Sequence, residues 1–291
     1  MLTLKTDRLR VEIAEPGETP NTTKRFDRSG FIAEVILDEQ VRFCAAEPRN
    51  LSHPSSGGRG LCNEYSFNQA SIDAPLGSRY PKPGIGLVLK KDAEPYIFYK
   101  DYNIEPFSVS IVQNESSIEF LTDPVPCMGY AVRQKKTVSA EENVLSVSVT
   151  LENAGERLFA AQEYCHNFLS IDGMAISPGY RLEIPALKDL GGKELAGTLK
   201  TCGRGFTFSN YSPEAMFHEI DMNSVESQGI FKWTLANAGA KASIRCCEDI
   251  KLHHLCLWAC DHIISVESFH GISLKPGESS RWERKWIFER I

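Results

Sequence analysis

The feature that most restricts the fold of this 291-residue chain is a long succession of short β-type runs. The clearest case is YAVRQKKTVSAEENVLSVSVTLENAGE, residues 130–156, in which two alternating stretches flank a polar segment. Alternation of apolar and polar side chains with a period of two is typical of strands that bury one face. The pattern therefore predicts an antiparallel hairpin with its turn at Ala140–Asn143.

Comparable runs continue along most of the chain, and turn-forming residues separate them at short intervals. The predicted strands cover residues 9–13, 31–37, 85–90, 117–121, 144–151, 160–171, 229–235, 242–247, 254–259, 264–269 and 282–288. No long stretch has the period of an amphipathic helix, so little helix is expected. No linker interrupts the strands, and β-sandwiches of this length often have one core. We therefore predict an all-β sandwich of large antiparallel sheets, with a single domain over residues 1–291.

Charge and composition argue against two classes of partner. The formal net charge of -6 would repel a phosphate backbone, and no cluster of basic and aromatic residues offers a local exception. We therefore expect no nucleic acid partner. No apolar run approaches the roughly 18 residues that span a bilayer, so we expect no membrane association and a cytoplasmic location. The nine cysteines are an odd number without framework spacing, and we predict free thiols.

A candidate site residue lies on the predicted strand AQEYCHNFLSIDG, residues 161–173. A period of two places Gln162, Tyr164, His166 and Phe168 on one face, and Ala161, Cys165, Leu169 and Ile171 on the other. Hydrogen-bonding and flat apolar groups together suit a sugar ring, which has hydroxyls at its rim and C–H groups on its faces. The alternative is a histidine that is hydrogen-bonded within the sandwich or at its surface.

A second candidate is Glu267, which interrupts an otherwise apolar strand within HIISVESFHGISL, residues 262–274. It shares a face with Ser265 and Phe269. Burial of a carboxylate is costly unless the group is paired or lines a wet cleft, so a glutamate in mid-strand is a good site candidate. The alternative is a glutamate on the solvent face of a one-sided sheet.

The order of these elements resembles the galactose mutarotase-like superfamily of aldose 1-epimerases. The resemblance rests on FDRSGFIAEVILDEQVRFC near the start, the hairpin ending LENAGE, the histidine strand, and the glutamate strand followed by LKPGESSRWERKWIF. It implies a β-supersandwich and a small-molecule sugar as ligand. It also implies that His166 and Glu267 face each other across the sugar as a catalytic acid and base. Such chemistry requires no metal or other cofactor.

The glycine-rich segment 48–83 contains GGRGLCNEYSFNQ and is predicted to be a surface loop that forms one wall of the cleft. Aldose 1-epimerases carry a second histidine in a glycine-rich loop and an asparagine before the catalytic histidine, whereas GGRGLCNEYSFNQ contains no histidine and Cys165 precedes His166. We expect other residues to bind the sugar hydroxyls. The predicted substrate-binding residues are Arg59, Asn63, Glu64, Arg79, Tyr164 and Trp258.

The segment CCEDIKLHHLCLWACDH, residues 246–262, holds four cysteines and three histidines and suggests a metal centre as a rival hypothesis. Its adjacent pairs lack the usual zinc spacing, and neighbouring residues point to opposite faces of a strand, which favours buried thiols and a cleft-lining Trp258. Three functions remain in order of preference: an aldose mutarotase, a non-catalytic carbohydrate-binding protein, and a metal-dependent protein. The chain is expected to be a monomer or homodimer.

Overall fold

The computed structural model describes residues 1–21, 24–47, 57–195, 197–226 and 229–291. The all-β prediction is confirmed, because strands dominate the described residues and pair antiparallel. The first half of the chain contains β1 (Leu2–Lys5), β2 (Leu9–Ala14), β3 (Phe31–Leu37), β4 (Val41–Arg42), β5 (Gly60–Ser66), α1 (Gln69–Asp73), β6 (Arg79–Lys82), β7 (Gly86–Leu89), β8 (Ile104–Pro106), β9 (Val109–Gln113), β10 (Ser117–Thr122), β11 (Val132–Glu141) and β12 (Val144–Asn153). The second half contains β13 (Phe159–Phe168), β14 (Tyr180–Glu183), β15 (Leu199–Thr201), β16 (Gly205–Phe208), β17 (Met216–Glu219), β18 (Phe231–Asn237), β19 (Ala242–Asp249), β20 (Leu252–Cys260), β21 (Ile263–Leu274) and β22 (Ser279–Arg290), with 3₁₀ turns at Ile171–Gly173 and Met222–Ser224.

Two large sheets dominate the molecule. One has the order β1-β2-β3-β5-β13-β21-β20-β17, with β4 paired to β3, and the other has the order β15-β16-β14-β18-β19-β22-β12-β11-β10-β9. A small third sheet has the order β6-β7-β8. The strands β5, β13, β21 and β20 lie side by side in the first large sheet and bear the candidate site. We call this the site sheet and the second one the back sheet.

The predicted hairpin is present as β11 and β12, and its alternation reflects burial of one face. Val138 and Leu145 are fully buried, while Glu141 and Glu142 at the tip are exposed. Glu141 pairs with Val144, so the turn contains only Glu142 and Asn143 and is tighter than predicted. In the part of the chain that the structure describes, no helix is long and apolar enough to cross a membrane.

The prediction of a surface loop over residues 48–83 is wrong for its central part, while residues 48–56 lie outside the described residues. Residues 60–66 form β5, an interior strand of the site sheet, and α1 and β6 follow it. Gly60 begins the strand with φ +66, and a Cβ there would lie 2.1 Å from the carbonyl oxygen of Ile32. Because only glycine tolerates both conditions, this residue lets β5 pass close to β3.

A network of buried charged and polar side chains joins the two large sheets. Arg284 of β22 donates to Glu163 of β13 at 2.8 Å and to Glu248 of β19 at 2.7 Å. Lys136 of β11 donates to Asp27 at 2.8 Å. All five side chains are at most 2% exposed, so every charge in the network depends on its partners for solvation.

All nine cysteines are free, which confirms the prediction. Cys165 projects into the apolar core that the large sheets share, as the period of β13 predicts. Its neighbours His166 and Tyr164 therefore project from the opposite face of the site sheet, away from the back sheet.

Candidate active site

A cavity of about 430 Å³ opens on the outer face of the site sheet. This volume is within the range of small-molecule sites. The side chains around it are charged or aromatic, a combination that can bind both hydroxyls and C–H faces. They are Arg25, Glu47, Glu64, Ser66, Phe98, Tyr164, His166, Phe217, Trp258, Glu267 and Phe269.

The two predicted catalytic residues are in direct contact in this cavity. Nε2 of His166 lies 3.1 Å from Oε1 of Glu267, and the two residues are only 4% and 6% exposed. His166 also stacks on Phe168 two residues further along β13, with ring centroids 3.9 Å apart. The stacked ring fixes the plane of the imidazole, so its nitrogens point along the sheet toward β21.

Ser265 contacts both His166 and Glu267. Its Oγ lies 3.1 Å from Nδ1 of His166 and 3.2 Å from Oε1 of Glu267, and it accepts the backbone N–H of Asn167 at 3.1 Å. If the single hydroxyl proton goes to Glu267, then Oγ accepts the Nδ1 proton of His166. This assignment leaves Nε2 facing the carboxylate, with one exchangeable proton between them.

The environment sets the charge of the pair. Burial raises the pKa of Glu267 to about 7, although Arg25 and the Ser265 hydroxyl oppose the change. Burial, together with the positive charge of Arg25, lowers the pKa of His166 well below 6.5. Desolvation therefore outweighs the rise in pKa that a neighbouring carboxylate would cause. Between the lowered pKa of His166 and about pH 7, the pair therefore holds one proton, which resides mainly on Glu267.

Beside this pair, three side chains form a second hydrogen-bonded group. Nε of Arg25 donates to Glu64 at 2.6 Å, and its Nη2 donates to the Tyr164 hydroxyl at 3.0 Å. That hydroxyl in turn donates to Glu64 at 2.6 Å. Burial raises the pKa of Glu64, but Arg25 and Lys82 outweigh this effect and lower it overall. Glu64 is therefore an anionic hydrogen-bond acceptor at the cavity wall.

Aromatic rings form the remaining walls. Tyr164 and Phe269 stack with centroids 4.3 Å apart, and Trp258 lies edge-on to His166 at 5.4 Å. Phe98 packs over the Arg25 guanidinium at 4.2 Å, and Phe217 is 58% exposed at the rim. Large apolar side chains left this exposed beside a polar cavity are typical of ligand-binding walls.

Three of the six predicted substrate-binding residues line the cavity, namely Glu64, Tyr164 and Trp258. The structure does not bring the other three to it. Asn63 projects from the inner face of β5 and bonds to Glu163 and Lys136, because adjacent residues of a strand point to opposite faces. Arg59 donates to the carbonyl oxygen of Ala33, and Arg79 donates to that of Leu87 in the small third sheet.

Sequence reasoning missed several cavity residues. Arg25, Glu47 and Phe98 come from connecting segments whose path the strand pattern does not determine. Ser265 was placed on the Glu267 face but was given no role, although the period of two already put its hydroxyl beside that carboxylate. Residues on one strand face are therefore recoverable from the sequence, whereas loop residues are not.

The cysteine- and histidine-rich segment 246–262 includes the end of β19 and all of β20. Its side chains do not converge at one point. Sγ of Cys256 lies 3.0 Å from Nε2 of His254, whose other nitrogen is 3.6 Å from Glu219. Within the described ranges, no group of three or more His, Cys, Asp or Glu side chains is arranged to hold a metal ion. Burial raises the pKa of Cys256 to about 12, so the thiol is protonated.

Comparison with known proteins identifies the architecture. No family model matches the sequence, and no curated protein matches it either. Among solved structures, the chain is similar to the Slr1438 protein of Synechocystis sp. PCC 6803, with TM-score 0.61, 14% identity and coverage of 100% of this chain and 96% of that one. It is also similar to a galactose mutarotase related enzyme from Lactobacillus acidophilus, with TM-score 0.59, 11% identity and coverage of 99% and 97%.

An aldose epimerase homologue from C. elegans is similar along the whole chain, with TM-score 0.55, 11% identity and coverage of 100% and 98%. Together these neighbours define the class: an all-β protein whose fold is shared with mutarotases and aldose epimerases. The chain has the galactose mutarotase-like fold, as the resemblance in its sequence implied.

Proposed function

We propose that this protein is an aldose mutarotase, which interconverts the α and β anomers of an aldose by opening and reclosing the sugar ring. The observation that carries the proposal is the contact of His166 and Glu267, 3.1 Å apart and buried in an aromatic-walled cavity. A sugar-binding surface alone has no need of an acid and a base side by side, whereas ring opening requires both.

The reaction moves two protons and breaks one bond. Glu267 accepts the proton of the anomeric hydroxyl, while His166 protonates the ring oxygen, and the bond between C1 and that oxygen breaks to give the open aldehyde. Rotation about the adjacent bond and closure on the other face reverse both transfers. The starting charge state requires the shared proton to move from Glu267 to Nε2, and the hydrogen bond between them provides the path.

The other cavity residues would bind and orient the sugar. The carboxylate of Glu64 would accept hydrogen bonds from sugar hydroxyls, and the guanidinium of Arg25 would donate hydrogen bonds to hydroxyl oxygens. The Trp258 ring offers a flat surface to the C–H face of the sugar, as aromatic side chains do in carbohydrate sites. These contacts hold the anomeric carbon near the acid–base pair, which is a large part of the catalytic effect.

The test is proton NMR of anomer exchange in a panel of aldoses with catalytic amounts of protein. We expect acceleration by the wild-type protein and a loss of at least about 100-fold in His166→Gln and Glu267→Gln, since general acid–base catalysis contributes roughly 10²–10⁴-fold. Glu183→Gln, at an exposed position of the back sheet, is the matched control and should keep full activity. Saturable sugar binding without acceleration of any aldose would contradict the proposal and leave a carbohydrate-binding protein instead.

A further inference from the structure

The charged side chains that line the active-site cavity are unequal in number. Three of them are carboxyl groups, those of Glu47, Glu64 and Glu267. Among the described residues, Arg25 is the one lysine or arginine that lines the cavity. The pKa of His166 is lowered well below 6.5, so its imidazole adds no positive charge near neutral pH. The lining therefore has more acidic than cationic groups.

Two of the three carboxyl groups already have partners for their charge. One oxygen of Glu64 accepts from Arg25 at 2.6 Å, and the other lies 3.8 Å from the ammonium of Lys82. Glu267 contacts His166 at 3.1 Å and holds a proton below about pH 7. Neither of these groups requires a cation from a ligand.

Glu47 is the carboxyl group that lacks such a partner. Its Oε2 is buried and has no hydrogen-bond partner. Burial raises the pKa of Glu47, and attraction by Arg25 and a hydrogen bond from the backbone of Gly58 offset this only in part. A buried carboxylate without a partner is costly, and a ligand that brings a positive charge removes part of that cost.

Aromatic rings in the same cavity suit a positively charged ligand as well. Trp258 of β20 pairs across the strands with Phe217 of β17, and both rings line the cavity. An ammonium over an aromatic face gains about 0.5–2 kcal/mol. The cavity thus offers both a carboxylate and aromatic faces to a cation.

The charge of Glu47 acts on the acid–base pair and on the aromatic wall. It contributes to the raised pKa of Glu267 and to that of Cys260, two residues beyond Trp258 on β20. Because Coulombic interactions weaken with distance, Glu47 lies on the side of the cavity that holds these groups. In the proposed reaction Glu267 receives the proton of the anomeric hydroxyl, and the substituent nearest to that hydroxyl is the one on C2.

We propose that the substrate is an aldose with a protonated amino group on C2, and that Glu47 binds its ammonium. This rests on the proposed function and specifies its substrate class. With the anomeric hydroxyl at Glu267, the ammonium donates hydrogen bonds to Glu47 and supplies the cation that this carboxyl group lacks. A neutral hydroxyl on C2 would leave the charge of Glu47 uncompensated.

The test compares D-glucosamine, D-galactosamine and D-mannosamine, each with its parent hexose. At about pH 6 the amino group is protonated and Glu267 still holds its proton. We expect kcat/KM for anomer exchange, followed by proton NMR, to be at least about tenfold higher for one amino sugar than for its parent, the effect of about 1.4 kcal/mol of added binding. The N-acetyl derivative of that sugar has no charge and should lose the preference.

Glu47→Gln removes the charge and keeps the size of the side chain. We expect it to lower the ratio of kcat/KM for the amino sugar to kcat/KM for its parent by at least about fivefold. The ratio cancels any effect of the substitution on Glu267 that both sugars share. The matched control Glu183→Gln, at an exposed position of the back sheet, should keep the wild-type ratio.

Equal kcat/KM for every amino sugar and its parent would overturn the proposal, as would a preference that Glu47→Gln leaves intact. Calorimetric titration of the same sugars into the wild-type protein and Glu47→Gln separates this proposal from the catalytic one, because it measures binding whether or not the ring opens. Tighter binding of an amino sugar that depends on Glu47, without faster anomer exchange of any sugar, would support the ammonium site and contradict the mutarotase. Faster exchange of the neutral hexoses, with no advantage for amino sugars, would do the reverse.

Discussion

The single proton shared by His166 and Glu267 determines how the proposed activity depends on pH. The pair is competent only when it holds one proton, because it must act as both acid and base. The pKa of Glu267, about 7, is the upper limit of this state. The lowered pKa of His166 is the lower limit, since below it both groups are protonated.

We therefore predict a bell-shaped profile of kcat/KM against pH, with the alkaline limb near pH 7 and the acid limb well below pH 6.5. The profile of kcat/KM reports the pKa values of the two groups before substrate binds. Proton NMR of anomer exchange in buffers from pH 4 to 9 measures the profile. It should locate each limb to within about one pH unit. Activity that keeps rising from pH 7 to 9 would contradict the assignment of Glu267 as the group with the upper pKa.

Ser265 is a positioning residue, because it contacts the two reactive side chains and not the cavity. Ser265→Ala removes a hydrogen bond that lowers the pKa of Glu267, so we predict that the alkaline limb moves to higher pH. We also predict a fall in kcat of about 10–100-fold, as for other residues that orient a reactive group. Ser243→Ala, another buried serine but in the back sheet, should leave the pH profile unchanged. If Ser265→Ala lowers stability but keeps the wild-type pH profile, the role of Ser265 is purely structural.

At the scale of the element, strand β5 brings Glu64 to the cavity and Asn63 to the network between the sheets. This depends on Gly60, which combines positive φ with close approach to Ile32. We predict that Gly60→Ala lowers the free energy of unfolding by at least about 2 kcal/mol, from left-handed backbone strain and the displaced strand together. Urea denaturation followed by tryptophan fluorescence measures it.

Gly192→Ala is the matched control for this strand prediction. A Cβ at Gly192 meets nothing within 4 Å, and its backbone φ lies outside the left-handed region. Its free energy of unfolding should change by no more than about 0.5 kcal/mol. Equal effects of the two substitutions would mean that β5 does not need a glycine at residue 60.

Strand β5 also shows where sequence reasoning fails. Its neighbours β3 and β13 are rich in apolar or alternating residues and were predicted with nearly correct bounds. In β5, glycine and polar residues dominate, because one face serves the cavity and the other serves the buried network. A strand whose two faces both contact polar groups lacks the alternation by which strands are recognised. The segment was therefore predicted to be a loop, and Arg59 and Asn63 were predicted to lie at the cavity, which they do not line.

At the scale of the whole molecule, Arg284 links the two large sheets through Glu163 and Glu248. Arg284→Met leaves two buried carboxylates without their cation, and we predict a loss of about 3–5 kcal/mol in the free energy of unfolding. Lys285→Met, an adjacent exposed residue of β22, should change it by less than about 0.5 kcal/mol. Denaturant titrations of the wild-type protein and both variants measure these changes.

The architecture was predictable because it depends on the pattern of the whole chain. Dozens of alternating positions, such as those of β11 and β12, indicate antiparallel sheets even when single strand limits are off by up to five residues, as at the end of β21. The network around Arg284 was not predictable, because a charged residue within a strand indicates a solvent-facing position when only the sequence pattern is read. The single domain over residues 1–291 stays a prediction, which coincident unfolding transitions by fluorescence and circular dichroism would support.

The contact between His166 and Glu267 also bears on how tightly any ligand can be held. In the cleft the two groups satisfy each other, and Ser265 completes their hydrogen bonding. An incoming molecule must part them, so it exchanges one good interaction for others and gains little net affinity in its ground state. Occupancy would then follow the ambient concentration over a wide range, and release would be rapid. Such a cleft is suited to turnover of an abundant compound and poorly suited to scavenging or sensing a scarce one.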